Sequence, residues 1–306
     1  MSAHVAVVAN PAARAGIGAR TVVRAAERLR ERGVQTTLVS GGSAAETLDL
    51  LHRTVAAGVD GVVVAGGDGT VHLAIQVLAG TEVPLGIMPI GTGNDMAISL
   101  GLRENRTAPA ADVIAAGATR RIDLARLTRA DGTIERYGTV LAAGFDARVN
   151  DRANALRWPR GGSRYTVAIL REFLDLRTDC FAVEWTDAAG MTGRWDGRLL
   201  MATVGNGRTY GGGIPICPDA LLDDGVLDMT LVEPVSRARL LRLLPRVYAG
   251  RHSSVPEVRM ERVTRVRIAA AGVGSYADGD PMGPLPVDVE IEPAALTVFV
   301  PANRPR

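Results

Sequence analysis

The sequence predicts two domains: an α/β domain on an open, mostly parallel sheet, then a β-rich domain of the antiparallel sandwich kind. Three observations carry this. The chain has 306 residues, about twice a common domain length of roughly 150. Through residue 124, apolar strand runs alternate with helical periodicity, the βαβ pattern of a parallel sheet. From Leu124 onward, short strand-like runs with turn punctuation take over. The expected domains are 1–124 and 125–301, with a frayed tail over 302–306.

Taken in order, His4–Ala9 reads as a short strand and Gly18–Arg32 as a helix with Val22, Ala26 and Leu29 on one face. Thr36–Val39 is the next strand. Ala44–Ala57 is helical, with Leu48, Leu51 and Val55 inward. Gly61–Ala65 is an unbroken apolar run, which suits the middle of a parallel sheet. Val71, Ala74, Ile75 and Leu78 recur at i, i+3, i+4 and i+7, so a helix starts at Thr70. Pro84–Met88 is another buried strand, followed by a turn and a helix from Asn94. Loops of such a series gather at the carboxyl ends of the strands. The second half offers strands at Ile134–Val140, Phe181–Thr186, Leu199–Val204, Val226–Val232, Val263–Ala269, Val287–Ile291 and Leu296–Val300. Helices interrupt them at Ser163–Leu176 and Ser236–Ala249.

Composition narrows the function. With 47% apolar and 22% charged residues the chain is globular. A net charge of +2 gives no general field for nucleic acid, which is not expected as a partner. Two cysteines, Cys180 and Cys217, make no disulfide framework, and a reducing cytoplasm is the expected compartment. All 35 basic residues are Arg. That excludes a Walker A loop, a protein kinase and Schiff-base chemistry, each of which needs a Lys. Four scattered His exclude HExxH-type metal sites. Met1–Pro11 reads as a strand rather than a signal peptide, and no apolar run approaches the ~20 residues of a spanning helix.

Two loops carry chemistry. Gly66-Gly67-Asp68-Gly69-Thr70 joins an apolar strand to a helix. Glycines let backbone approach a phosphate, and a helix N-terminus offers free N–H groups to it. An Asp in that loop would repel phosphate unless it holds Mg²⁺, directly or through water. A tight glycine turn with Asp68 as a plain cap would use the same residues. The second loop, Pro89-Ile90-Gly91-Thr92-Gly93-Asn94-Asp95, also leaves a strand and opens a helix. Asp95 could serve only the helix dipole. Two such loops at neighbouring strand ends favour one shared nucleotide–metal cleft, making the first domain nucleotide-binding.

These motifs, after Asn10-Pro11, resemble the diacylglycerol kinase catalytic-domain family, and within it the soluble bacterial lipid kinases related to sphingosine and ceramide kinases. Arg121-Ile122-Asp123-Leu124 matches the family's third acidic position. Pro218 to Asp228 resembles its LxDDG segment, and Tyr276-Ala277-Asp278-Gly279-Asp280-Pro281 its late DGE motif. The resemblance runs from about residue 10 to 301 with the motifs in order. It implies a lipid kinase using ATP and Mg²⁺, with diacylglycerol as the leading substrate. Asp68, Asp95 and Asp123 would form the acidic network around the catalytic Mg²⁺. Asn10, Pro11, Ala12, Ala13, Arg14, Ser40, Gly66, Gly67, Asp68, Gly69, Thr70 and Thr92 would line ATP. The Leu221 and Val226 carbonyls and the Asp224 carboxylate would hold a second, structural Mg²⁺; without the resemblance, an ordinary turn between strands accounts for that segment equally well. Asp280 stands where the family has its catalytic Glu, one methylene shorter, and would take the proton from the lipid hydroxyl. A second departure is Ala12-Ala13-Arg14-Ala15 ahead of Gly16, where the family has an earlier glycine.

A lipid substrate implies peripheral contact with the inner face of a membrane. Arg148 to Arg171 carries six Arg against one acid, Asp151, and includes Trp158. Ser236–Ala249 carries four Arg and no acid. Basic segments with an interfacial Trp suit an anionic bilayer, and a solvated Arg face on a core helix would look the same. Two other readings stay open: a NAD kinase, whose related fold also uses GGDGT, and a nucleotide- or lipid-binding regulator without catalysis. The oligomeric state is open, a homodimer included.

Overall fold

The computed structural model describes residues 3–9, 17–91, 93–102, 107–156, 158 and 163–302. The chain divides into two compact units, one of residues 1–124 and 294–306, the other of 125–293.

The first unit alternates strand and helix. It runs β1 (His4–Ala9), α1 (Ile17–Arg30), β2 (Gln35–Val39), α2 (Ala44–Ala56), β3 (Gly61–Gly66), α3 (Asp68–Leu78), β4 (Leu85–Pro89), α4 (Asp95–Ser99) and α5 (Thr107–Ala116). The sheet order is β4-β3-β1-β2, all parallel. Every residue of β3 and β4 is buried, as expected of central strands covered on both faces. Val22, Ala26 and Leu29 of α1 pack on this core with Val5, Val7, Val63 and Met88. Ser43 caps α2 by accepting the Glu46 N–H at 3.1 Å. Because the strands are parallel, their carboxyl ends share one edge, where the β3–α3 and β4–α4 loops lie.

The second unit begins within β5 (Thr119–Arg129) and continues through β6 (Ile134–Tyr137), β7 (Val140–Gly144), α6 (Phe145–Ala155), α7 (Ser163–Leu174), β8 (Asp179–Asp187), β9 (Thr192–Leu199), β10 (Met201–Gly205), β11 (Leu227–Val232), α8 (Arg237–Tyr248), β12 (Val258–Ala269), β13 (Gly274–Ala277), β14 (Asp280–Pro284) and β15 (Val287–Phe299). Its pairings are antiparallel: β14-β13-β7-β10-β11-β12-β15, with hairpins β8–β9 and β5–β6 alongside. β12 turns the corner of the sandwich. Val258–Val263 pair with β11, the register shifts between Val263 and Arg265, and the following residues pair with β8 on one side and β15 on the other. In β8 Phe181, Val183 and Trp185 point inward at period two and join Leu141, Val204, Met229, Val266 and Val289 in the core.

Four expectations change. Ile134–Val140 is two strands, because Gly138 and Thr139 break it. Val287–Ile291 and Leu296–Val300 form one strand bent at Ala294, where φ is +50°. Its last part returns to the first unit: Val298 pairs in parallel with Leu85, and the Gly80 N–H donates to the Ala295 carbonyl at 2.8 Å. Residues 294–301 therefore group with the first unit rather than with 125–293. Helix α6 lacks the apolar stripe that would announce it and was not expected. Among the described residues no helix is long and apolar enough to cross a membrane.

Candidate active site

The two glycine loops meet as backbone against backbone. A Cβ on Gly67 would stand 3.0 Å from Gly91 Cα, and the Ile90 N–H donates to the Gly66 carbonyl at 3.0 Å. Only glycine at both positions permits that approach. Asn94 holds the second loop. It adopts a left-handed backbone (φ 60°, ψ 35°), accepts the Gly91 N–H at its Oδ1 (3.0 Å) and donates Nδ2–H to the Gly91 carbonyl (2.7 Å). Its backbone N–H donates to Asp68 Oδ2 at 2.7 Å, so the loops are joined through the Asp68 carboxylate.

Asp68 is the first residue of α3, and Asp95, buried, the first of α4. Gly93 lies between them. A Cβ there would clash with Asp68 Oδ2 and stand 3.4 Å from Asp95 Oδ2. Both carboxylates thus face one small space at the carboxyl edge of the sheet. Two like charges aimed at one point are stabilised by a cation, and an all-oxygen donor set suits a hard divalent ion. The cradle fits Mg²⁺. Thr70 is buried against Gly66, whose missing side chain makes room for the Thr70 hydroxyl. Ser40 directly follows β2 at the same edge. Asn10, Pro11, Ala12, Ala13, Arg14 and Thr92 lie outside the described residues.

Asp123 is buried on β5. Its Oδ1 accepts the Ala294 N–H at 2.7 Å, where the last strand re-enters the first unit. Among the described residues no three His, Cys, Asp or Glu side chains gather as a ready-made metal-holding group.

In the second unit, Asp224 closes its own turn by accepting the Val226 N–H at 3.3 Å and forms an ion pair with Arg262. Leu221 is exposed. Burial raises the nearby Asp228 carboxyl to about 6; Arg262 opposes the shift, and Asp224 and Asp219 add to it. The segment is acidic and oxygen-rich, which fits a hard cation, but its Asp224 already has Arg262 as a counter-charge.

Asp280 opens β14 and is half-buried. The reversal before it is a two-residue turn, Asp278-Gly279, with both φ angles positive (52° and 86°) and Ala277 opposite Asp280. Asp278 is buried and accepts three hydrogen bonds: Gly138 N–H (3.0 Å) and Thr139 N–H and Oγ1–H (2.8 and 2.6 Å). Neither Asp278 nor Asn94 stands out in the sequence as a site residue; the signal each carries is that of a turn-forming residue beside glycine.

In the basic segment expected at Arg148–Arg171, two arginines are engaged in ion pairs within the unit, while Arg171 is exposed. Arg148 and Arg152 both pair with Glu172, which has no solvent exposure, and further with Asp179 and Asp175. Trp158 is 81% exposed.

Comparison with known proteins agrees with this architecture. Residues 4–127 match the model of the diacylglycerol kinase catalytic domain, and residues 139–300 match the YegS C-terminal NAD kinase beta sandwich-like domain. The chain is 43% identical over 299 residues to a diacylglycerol kinase of Mycobacterium tuberculosis strain H37Rv, covering 98% of this chain and 96% of that one. It is 30% identical over 286 residues to a protein named "Probable lipid kinase YegS-like" from Xanthomonas campestris pv. campestris, covering 90% of each. A crystal structure of a diacylglycerol kinase from Bacillus anthracis str. Sterne shares the fold, with a TM-score of 0.71 at 19% identity over 98% of this chain and 97% of that one. A glycine-loop α/β unit carrying an antiparallel sandwich, with these relatives, defines a lipid kinase. The chain belongs to the diacylglycerol kinase catalytic-domain family.

Proposed function

We propose that this lipid kinase transfers the γ-phosphate of ATP to a lipid hydroxyl in a Mg²⁺-dependent reaction, with diacylglycerol as acceptor and phosphatidic acid as product. The observation that carries the nucleotide–metal half is the convergence of Asp68 and Asp95 on the space over Gly93. The 43% identity to a diacylglycerol kinase supports the acceptor.

In this reading Asp68 and Asp95 hold Mg²⁺, which when bound neutralises charge on the phosphate oxygens. Gly66 to Thr70, with Ser40, Thr92 and Asn10 to Arg14, line the nucleotide in the first unit. Asp280 accepts the proton of the lipid hydroxyl as that oxygen bonds to the γ-phosphorus and the bond to the bridging oxygen of ADP breaks. Asp123 completes the proposed acidic network with Asp68 and Asp95, its Oδ1 also accepting the Ala294 N–H. Leu221, Asp224 and Val226 remain the proposed seat of a structural Mg²⁺, in competition with Arg262.

The acceptor lies in a bilayer, so peripheral binding belongs to the proposal. α7 exposes Ile169, Leu170 and Leu174; α8 exposes Leu241, Leu244 and Tyr248 beside the exposed Arg242 and Arg246. Arg237 joins the two helices by donating to the Phe173 and Leu174 carbonyls. Apolar side chains rimmed by Arg suit an anionic interface.

The NAD kinase-like description of the second domain favours one alternative acceptor, NAD. An acceptor screen with γ-labelled ATP decides between them. Label is expected in lipid from diacylglycerol micelles; label in NAD and in no lipid would reverse the assignment.

A further inference from the structure

We propose that Asp278 is a positioning residue for Asp280: its buried carboxylate fixes the turn that aims the general base. The inference rests on the reading of Asp280 as that base.

Asp278 sits at φ +52°, a region that side-chain-bearing residues avoid. Three donors to its carboxylate hold it there. They come from Gly138 and Thr139, which separate β6 from β7. These residues are themselves fastened from the far side. The Thr139 carbonyl accepts the N–H groups of Asn206 and Gly207 at 2.8 and 2.9 Å, and Asn206 Nδ2–H donates to the Gly138 carbonyl at 3.1 Å. The Asp278 N–H faces the Val140 carbonyl at 3.4 Å. The turn before Asp280 is therefore bolted to two other connections of the same unit. Asp280 lies two residues from the bolt, opposite Ala277, which is wholly buried.

The chemistry demands a carboxylate and not merely a turn former. Asn is at home in such a turn. It carries one acceptor oxygen, however. With that oxygen on Thr139, its NH₂ would face the Gly138 N–H, donor against donor. A carboxylate alone satisfies all three partners. A general base must come within about 3 Å of its proton's oxygen, and a displacement of about 1 Å can reduce rate about 100-fold. Asp is shorter than Glu, so Asp280 depends closely on where its backbone is held.

The test is a double-mutant cycle on the intact chain, with diacylglycerol micelles and Mg-ATP. Asp278→Asn is expected to lower kcat about 10- to 100-fold while KM for ATP stays within about twofold. In an Asp280→Asn background the same change should lower kcat less than about twofold, because nothing remains to aim. Thr139→Val removes one donor and keeps shape; it should lower kcat about three- to tenfold and show the same non-additivity. Should Asp278→Asn not fold, the Thr139→Val cycle decides alone. Losses that multiply in the double variants, or an Asp278→Asn enzyme at wild-type kcat, would overturn the positioning role. Wild-type turnover in Asp280→Asn itself would instead remove the base reading on which it rests.

Discussion

Gly93 has no side chain, and the space one would fill belongs to Asp68 and Asp95. Gly93→Ala is therefore a probe of the metal cradle that alters no charge. Its methyl group pushes Asp68 aside, and overpacking of this kind costs about 1–3 kcal/mol. Activity is expected to fall about 100-fold or more with a modest loss of melting temperature; unchanged kcat would mean the cradle is not used. Asp146, buried at the start of α6, offers a pH probe. Burial raises its carboxyl from 3.8 to about 6; a Tyr210 hydrogen bond and the Arg148 charge oppose the shift. The native state thus keeps this proton where the unfolded chain has lost it. The resulting stabilisation is complete below about pH 4 and lost as pH rises through about 6, about 3 kcal/mol in all. Asp146→Asn stays neutral at every pH. Denaturant titrations should show wild type losing that much more stability than the variant between these pH values; parallel curves would contradict the assignment.

At the scale of elements, α6 and α7 are held as a pair by one fully buried acid, Glu172, between Arg148 and Arg152. Removing Glu172 takes one partner from each arginine while Asp179 and Asp175 remain, and losing such charged hydrogen bonds costs about 1.5–3 kcal/mol. Glu172→Gln should lower stability by that order in chemical denaturation, and a change under about 1 kcal/mol would show the network to be dispensable. The same pair shows where sequence reading reached its limit. Gly61–Gly66 was legible because all six residues are buried, and α3 because Val71, Ala74, Ile75 and Leu78 lie on its buried face. Helix α6 was not: its Asp, Asn and Arg residues make tertiary ion pairs and hydrogen bonds that no periodicity displays. β9, alternating exposed and half-exposed residues, lacks a strong apolar signal for the same reason. In the site, the two glycine loops stood out as motifs. The hydrogen bond of Asp123 to Ala294 did not, because that partner lies 171 positions along the chain.

The whole molecule is a chain that leaves its first unit at Leu124 and returns to it at Ala294. On the proposed reading the acceptor lies in a bilayer, and the exposed apolar residues of α7 and α8 are the proposed contact. Arg242→Glu with Arg246→Glu should weaken sedimentation with vesicles containing anionic phospholipid about 30-fold or more, at roughly 1 kcal/mol or more per reversed charge. It should leave phosphate transfer to a short-chain, water-soluble diacylglycerol intact; unaltered vesicle binding would place the contact elsewhere. The central claim is tested most directly by measuring phosphate transfer from γ-labelled ATP to diacylglycerol in mixed micelles, with and without Mg²⁺, for wild type and for folded Asp68→Asn. Labelled phosphatidic acid should form only with Mg²⁺ and fall at least about 100-fold in the variant. No labelled lipid from the wild type, or equal transfer by Asp68→Asn, would contradict the account.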